Sequence, residues 1–374
     1  MIMERKHYLD NIRWVTVLLV LFYHVIYFYN AKGVFGGIGG FYEDQPWDAI
    51  MSMLYPWFMM LLFLVAGISS RYALDKLSHK EFIKTRTRKL LVPATIGLLV
   101  FQWMVGYFNT HVAGTDVLAA VPQPVKFLLW GLPSGIGPLW FIQDLWLFSL
   151  LLVLIRVIEK DKLYDRIGRF FQGDNLGKSI ALVVIGYFLV WAGAQSTISH
   201  PNPESLDGLW NLYRPFAYLV PFLLGYFVFS HDNVQDRIAK MHLPLLTLAL
   251  AAGVYFTIVM YGKNDTDPIV LQGWLCNLFA WFAMLAMLGC FKAWFDRTNR
   301  FATYMTKSSF GVYVLHYLVV ASLGYMMKNY TSLAPWMQYI ILFVAVMTIP
   351  FLLNEIIKRI PFIRWCVLGM KKSS

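Results

Sequence analysis

Asp10, Arg13 and His24 lie in one apolar run near the N-terminus, Asp10-Asn-Ile-Arg13-Trp-Val-Thr-Val-Leu-Leu-Val-Leu-Phe-Tyr-His24. In a helix, the eleven residues from Arg13 to His24 turn through about 1100°, close to three full turns. The two side chains therefore share one face, about 16 Å apart along the axis. Asp10 falls one turn before Arg13 on nearly the same face, where it is placed to hold the guanidinium. A second constellation, Ser309, Tyr313 and His316, is spaced to line one face of another helix. An ionisable residue in hydrocarbon is costly and marks function by default. A single membrane histidine is equally well explained by an interhelical hydrogen bond. Two at similar depth, one aligned with an arginine, point instead to a shared polar site. Histidine titrates near neutrality and serves there as a general base. Gln143 and Asp144, near the outer end of the fourth apolar segment, and Arg214, near that of the sixth, are weaker signals. An Asp144–Arg214 ion pair is their structural reading, contact with an acceptor their functional one. Glu355 is satisfied by Lys358 or Arg359. No metal site is expected.

The elements that must position these residues are membrane helices. Apolar residues make up 58% of the chain and charged ones 14%, against roughly 25% charged in a soluble domain. Apolar segments fall near 12–30, 49–70, 91–108, 138–158, 179–195, 213–230, 243–261, 271–293, 309–327 and 336–357. The fifth and sixth are among the shortest. A span needs about 20 residues, so the expectation is an all-α bundle of about ten transmembrane helices in a single domain, 1–374. Strand alternation is absent, which argues against a barrel. The net charge of +11 is not a nucleic-acid footprint, because 26 of the 32 Lys and Arg fall in alternate loops and the two termini. By the positive-inside rule those segments, both termini among them, are cytoplasmic. The facing loops hold Lys32, Lys126, Arg214, Lys263 and Lys328. The apolar run that follows Arg5 and Lys6 is long enough to span and lacks a small-residue cleavage site, so it reads as a retained first helix. Cys276, Cys290 and Cys366 are expected in or near inner halves of helices, with no disulfide framework. The glycines of 33–40 follow no strand and read as an outer loop, not a phosphate cradle. No internal repeat is visible, and no further domain is expected after the last segment.

The pattern resembles the acyltransferase-3 family of bacterial multi-pass membrane acyltransferases, over essentially the whole chain. The family's hallmark, a basic residue followed by ten residues and a His in the first helix, corresponds to Arg13 and His24. The inner loop Phe82-Ile-Lys84-Thr-Arg86-Thr-Arg88-Lys89-Leu-Leu-Val-Pro93 is similar to the family's basic segment. Leu139-Trp140-Phe141 resembles its fourth-helix start, and Ser309-Phe-Gly-Val-Tyr313-Val-Leu-His316 its Ser-aromatic, Tyr, His helix. Three features depart from the pattern: Ala66-Gly67 where members have Ser-Gly, Lys89 where a second Arg is common, and Asp144 one position from a frequent Glu.

The resemblance implies transfer of an acyl group, usually acetyl, from cytoplasmic acyl-CoA to a hydroxyl of an extracytoplasmic carbohydrate or glycolipid. His24 is then general base or acyl-accepting nucleophile, and Arg13, His316 and Tyr313 complete the catalytic set. Arg13, Arg86, Arg88 and Lys89 receive the CoA phosphates, while Asp10, Asp144 and Ser309 are structural or acceptor-side residues. Acyl-CoA is a co-substrate rather than a resident cofactor, and the expected site of action is the bacterial cytoplasmic membrane. A transporter or flippase using Arg13, His24 and His316 as a polar pathway is the alternative class. The lack of repeats or paired broken helices weighs against it. The sequence sets no oligomeric state.

Overall fold

Apolar runs in this chain become helices because a backbone in hydrocarbon must satisfy its own hydrogen bonds. The computed structural model describes residues 5–34, 36–111, 118–132, 136–173, 175–198 and 214–371. It is 78% helical, with no strand among the described residues, and the protein is an all-α multi-pass membrane protein. Most of the outer loop 196–212 lies outside the described residues.

Among the described residues, eight helices are long and apolar enough to cross a membrane. In chain order the elements are α1 (His7–Phe28), α2 (Pro46–Leu74), α3 (His79–Arg86), α4 (Trp103–His111), α5 (Gln123–Gly131), α6 (Gly137–Glu159) and α7 (Lys162–Phe170). They continue with α8 (Leu176–Ala194), α9 (Pro215–Phe227), α10 (Asp232–Lys240), α11 (His242–Val259), α12 (Trp274–Trp294), α13 (Arg300–Tyr330), α14 (Pro335–Ile357) and α15 (Pro361–Leu368). The spanning set is α1, α2, α6, α8, α11, α12, α13 and α14.

Two of the ten apolar segments do not form regular spans. The sixth is the 13-residue helix α9. The third is broken: Thr87–Leu91 and Leu98–Gln102 are π-helical, with turns between them around Pro93. Proline has no N–H to donate and crowds the preceding turn. The ladder therefore shifts to wider bonds, Val92 N–H to the Thr87 carbonyl and Gly97 N–H to the Val92 carbonyl. Gln143 donates to the Ala94 carbonyl in this break at 3.2 Å, and Gln102 donates to the Val314 carbonyl at 2.7 Å. The ninth segment, by contrast, belongs to the longest helix. Asn299 caps α13 by accepting from Ala302 N–H, so the helix begins at Arg300, well before the apolar run.

The loops sort onto two faces. On one face Lys6 pairs with Asp232, Tyr8 N–H donates to Asp296, Arg71 pairs with Asp161, and Arg88 donates to the Gly369 carbonyl. This face carries both described ends and most of the cations. On the other, Lys32 pairs with Asp265, Ala31 N–H donates to Asp48, and Lys328 donates to the Gly40 carbonyl. The same segments that the charge count groups together thus meet in space. The three cysteines are buried and free, but Cys276 lies in the first turn of α12, towards the face opposite the basic one. It is not in an inner half as expected, because α12 runs from that face towards Lys292.

Gly67 brings α2 and α9 into close packing. A Cβ there would sit 1.9 Å from the Phe222 carbonyl oxygen, and one on Gly225 would sit 2.0 Å from that of Leu64. Small residues at such crossings let membrane helices touch backbone to backbone. The Ala66-Gly67 departure keeps the glycine this crossing requires.

Candidate functional site

α1 and α13 start on the same face and pack against each other. His24 is 17 residues into α1 and His316 is 16 into α13, so each lies about 24–26 Å along its helix. Equal rise is why residues so distant in sequence meet. The Nδ1 of His24 lies 3.2 Å from the Nε2 of His316. Each ring also has a carbonyl of its own helix at Nδ1: Val20 for His24 at 2.8 Å, and Tyr313 for His316 at 2.6 Å. His316 is 0% exposed, whereas His24 is only half-buried. Among the described residues the Nε2 of His24 carries no hydrogen bond.

Tyrosines surround the pair. Tyr317 packs edge-on against His24 at 5.2 Å, Tyr27 at 5.5 Å and Tyr23 at 5.4 Å between ring centroids. Tyr317 and Tyr27 hydrogen-bond each other. None of these tyrosines was singled out from the sequence, where they pass for packing; the signal available was the position of Tyr317 next to His316. Tyr313 lies 5.8 Å from His316 by ring centroid, but its hydroxyl donates to the Pro138 carbonyl. Ser309 stays on its own helix, bonded to the Thr306 carbonyl at 3.3 Å. Asp144 is fully buried on α6, one turn after Phe141, whose ring meets that of Tyr313. Arg214 is buried against the rings of Tyr218 and Tyr55. Glu355 pairs with Lys358 at 2.8 Å.

About 16 Å below His24 along α1, Arg13 donates to Asp10 at 2.7 Å and to the hydroxyl of Ser69. Asp10 also pairs with Arg5. Arg86 lies close enough to Arg13 to repel it and donates to the hydroxyl of Ser70 at 2.7 Å. Adjacent serines at the end of α2 thus hold one arginine each. Burial, and then repulsion from Arg13, push the Arg86 guanidinium down to about 10. Arg88 is turned away, donating to the Gly369 carbonyl at 3.1 Å, and Lys89 is exposed. Among the described residues Arg86 has no carboxylate partner. The one carboxylate that Arg13 has, Asp10, is shared with Arg5, and Arg86 beside it has none, an arrangement that an incoming anion would relieve.

A basic residue and a histidine on one face of the first helix, the histidine met by another from a late helix, match the resemblance given by the sequence. A family model for an acyltransferase domain matches residues 6–355. The chain belongs to the acyltransferase-3 family. Among similar proteins are those called glucans biosynthesis protein C. That of Escherichia coli O139:H28 (strain E24377A / ETEC) is 23% identical over 386 residues, covering 98% of this chain and 95% of the relative. Those of Shigella boydii serotype 4 (strain Sb227) and Escherichia coli (strain K12) are each 23% identical over 388 residues, with the same coverage. No solved structure matches. This acyltransferase therefore has two polar stations on α1, a cation pair near the basic face and a histidine pair deeper in.

Proposed function

We propose that this acyltransferase moves an acyl group, acetyl in the simplest case, from cytoplasmic acyl-CoA to a hydroxyl of an extracytoplasmic carbohydrate or glycolipid. The basic face is then the cytoplasmic one, as the positive-inside rule requires, in a bacterial cytoplasmic membrane. The observation that carries the reading is the alignment of Arg13, paired with Arg86, and His24 along one face of α1. Phosphates of the donor are received by Arg13 and Arg86, with Arg88 and Lys89 at the rim. The pantetheine arm runs along α1 and brings the thioester to His24.

His24 is the general base. It takes the proton of the acceptor hydroxyl on Nε2 as the oxygen attacks the thioester carbonyl carbon. The carbon–sulfur bond breaks, and the proton passes from His24 to the departing thiolate. The carbohydrate acceptor is supported by relatives whose name assigns them to glucan biosynthesis. The test is purified protein with acyl-labelled acetyl-CoA and a candidate glycan. Release of CoA with label on the glycan is expected. Intact donor in the presence of authentic acceptor, with acetyl and longer acyl donors alike, overturns the reading. Mass spectrometry of envelope glycans with and without the protein identifies the acceptor.

A further inference from the structure

The hydrogen bonds of the histidine pair admit one arrangement of protons. A backbone carbonyl only accepts. The Tyr313 carbonyl, 2.6 Å from the Nδ1 of His316, therefore places a proton on that nitrogen. In the neutral ring the Nε2 of His316 is then bare. The Val20 carbonyl, 2.8 Å from the Nδ1 of His24, places a proton there too. That single N–H faces two acceptors, the Val20 carbonyl and the bare Nε2 of His316 at 3.2 Å. Any other neutral assignment sets two N–H groups or two lone pairs against each other.

We propose that His316 is a positioning residue, whose Nε2 accepts the Nδ1–H of His24 and holds His24 in the tautomer with a free Nε2 lone pair. The role deepens the acyltransferase reading and rests on it. The second nitrogen of a histidine is fixed by what its first nitrogen bonds, as a buried acid fixes the histidine of a serine protease. Here the orienting group is a neutral imidazole, and neither ring hydrogen-bonds a carboxylate among the described residues. Full burial of His316 behind half-buried His24 keeps it off the reacting atoms. When His24 takes the acceptor's proton on Nε2, its Nδ1–H bond to His316 becomes charge-assisted. No proton moves to His316, and His24 is neutral again once the thiolate has been protonated. The other titratable groups packed on His24 are Tyr23 and Tyr27 from α1 and Tyr317 from α13.

The experiment is nitrogen NMR of the full chain in lipid with 15N-labelled histidine, the His24 signals assigned by loss in His24→Asn. Protonated Nδ1 and bare Nε2 are expected in the native protein and in His316→Gln, whose amide oxygen still accepts. In His316→Leu the Nδ1–H keeps only the Val20 carbonyl, which already accepts the helix bond of the His24 backbone N–H, so the His24 signals should show a mixture of tautomers. A native His24 protonated on Nε2, or a tautomer unchanged in His316→Leu, overturns the proposal. If His316→Leu does not fold, the native and His316→Gln spectra still decide. This readout uses no acyl donor, so its failure is separate from failure of the acyltransferase reading. In turnover, His316→Gln should stay within about tenfold of native and His316→Leu should lose about 10²-fold or more. The acid limb of kcat/KM should move to lower pH in His316→Leu, since losing the acceptor makes His24 harder to protonate. A packing role would lower the rate without moving the limb.

Discussion

The two polar stations on α1 are built differently. At the deep end, backbone carbonyls at 2.8 and 2.6 Å and the contact between the rings hold two imidazoles, and among the described residues no hydroxyl or carboxylate bonds either one. At the shallow end, flexible guanidiniums bond to serine hydroxyls, and Arg13 keeps 36% of its side chain exposed. A backbone partner cannot move without moving the helix, whereas a hydroxyl yields to a better acceptor. Fixed partners suit a lone pair that must point one way. Exchangeable partners suit an anion that must arrive and leave. The comparison predicts that damage at the deep end falls on kcat and damage at the shallow end on KM for the donor.

The largest effect is expected at the deep end. His24→Ala should cost about 10²–10⁴-fold or more in transfer of labelled acetyl from acetyl-CoA, with protein yield and gel-filtration profile unchanged. Native turnover by that variant would falsify the assignment of the base. Arg13 comes next, because it links both stations through one helix. Arg13→Lys should keep measurable activity, whereas Arg13→Gln should lose nearly all, since a cation at the edge of a low-dielectric region lowers the cost of drawing an anion there. If Arg13 only snorkels to the interface, Gln alters insertion, and whatever protein folds is equally active in both variants.

Much of the deep station was legible in the sequence, because helical periodicity alone puts Arg13 and His24 on one face, and burial cost alone makes His316 conspicuous. The partners were not. Serines in membrane helices commonly bond back to their own carbonyls, as Ser69 does to Val65 and Ser70 to Ala66, so nothing in Ser69-Ser70 announces that each also holds an arginine. Hydropathy saw an unbroken third segment because Leu, Val and Ile flank Pro93; the π turns arise from a missing donor, which an apolar average does not register. It also started the ninth segment late, since the first turns of α13 are polar and are set by the Asn299 cap. Arg86, Arg88 and Lys89 look equivalent in sequence, and tertiary contact with Gly369 separates Arg88 from Arg86.

Arg86 and Arg88 should therefore differ in their effect on donor binding. Arg86→Gln should raise KM for acetyl-CoA several-fold, about 1 kcal/mol of uniform binding, with little change in kcat. Arg88→Gln should do less, because its guanidinium is engaged at the Gly369 carbonyl. CoA affinity, followed by calorimetry, should also fall as pH rises towards 10, where Arg86 loses its charge. The sign follows from the direction of the shift. A lowered cation is charged below its pKa and attracts phosphate there, and bound phosphate in turn raises that pKa. Flat affinity across that range would mean that Arg86 keeps its charge, and the KM of Arg86→Gln then decides its place in the donor site.

The smallest kinetic effect, and the most discriminating, is expected from Gly67→Ala. A methyl group there meets the Phe222 carbonyl at 1.9 Å, so α2 must move away from α9. Overpacking of this kind costs about 1–3 kcal/mol, seen as a lower melting temperature in detergent. The moved helix carries Ser69 and Ser70 one turn further on, and with them the partners of Arg13 and Arg86. It carries neither histidine, nor the Val20 or Tyr313 carbonyl. If the stations are mechanically independent, Gly67→Ala raises the donor KM a few-fold and leaves kcat per folded molecule and the His24 tautomer as they were. The links that oppose this are Phe58 and Tyr55 on α2, whose rings lie 5.1 and 5.9 Å from that of Tyr23 beside His24. Both are more than two turns from Gly67, on the far side of the membrane's middle, so a tilt pivoting there leaves them in place. A fall in kcat with KM unchanged would mean that α2 moves as a rigid rod and that the two stations respond together.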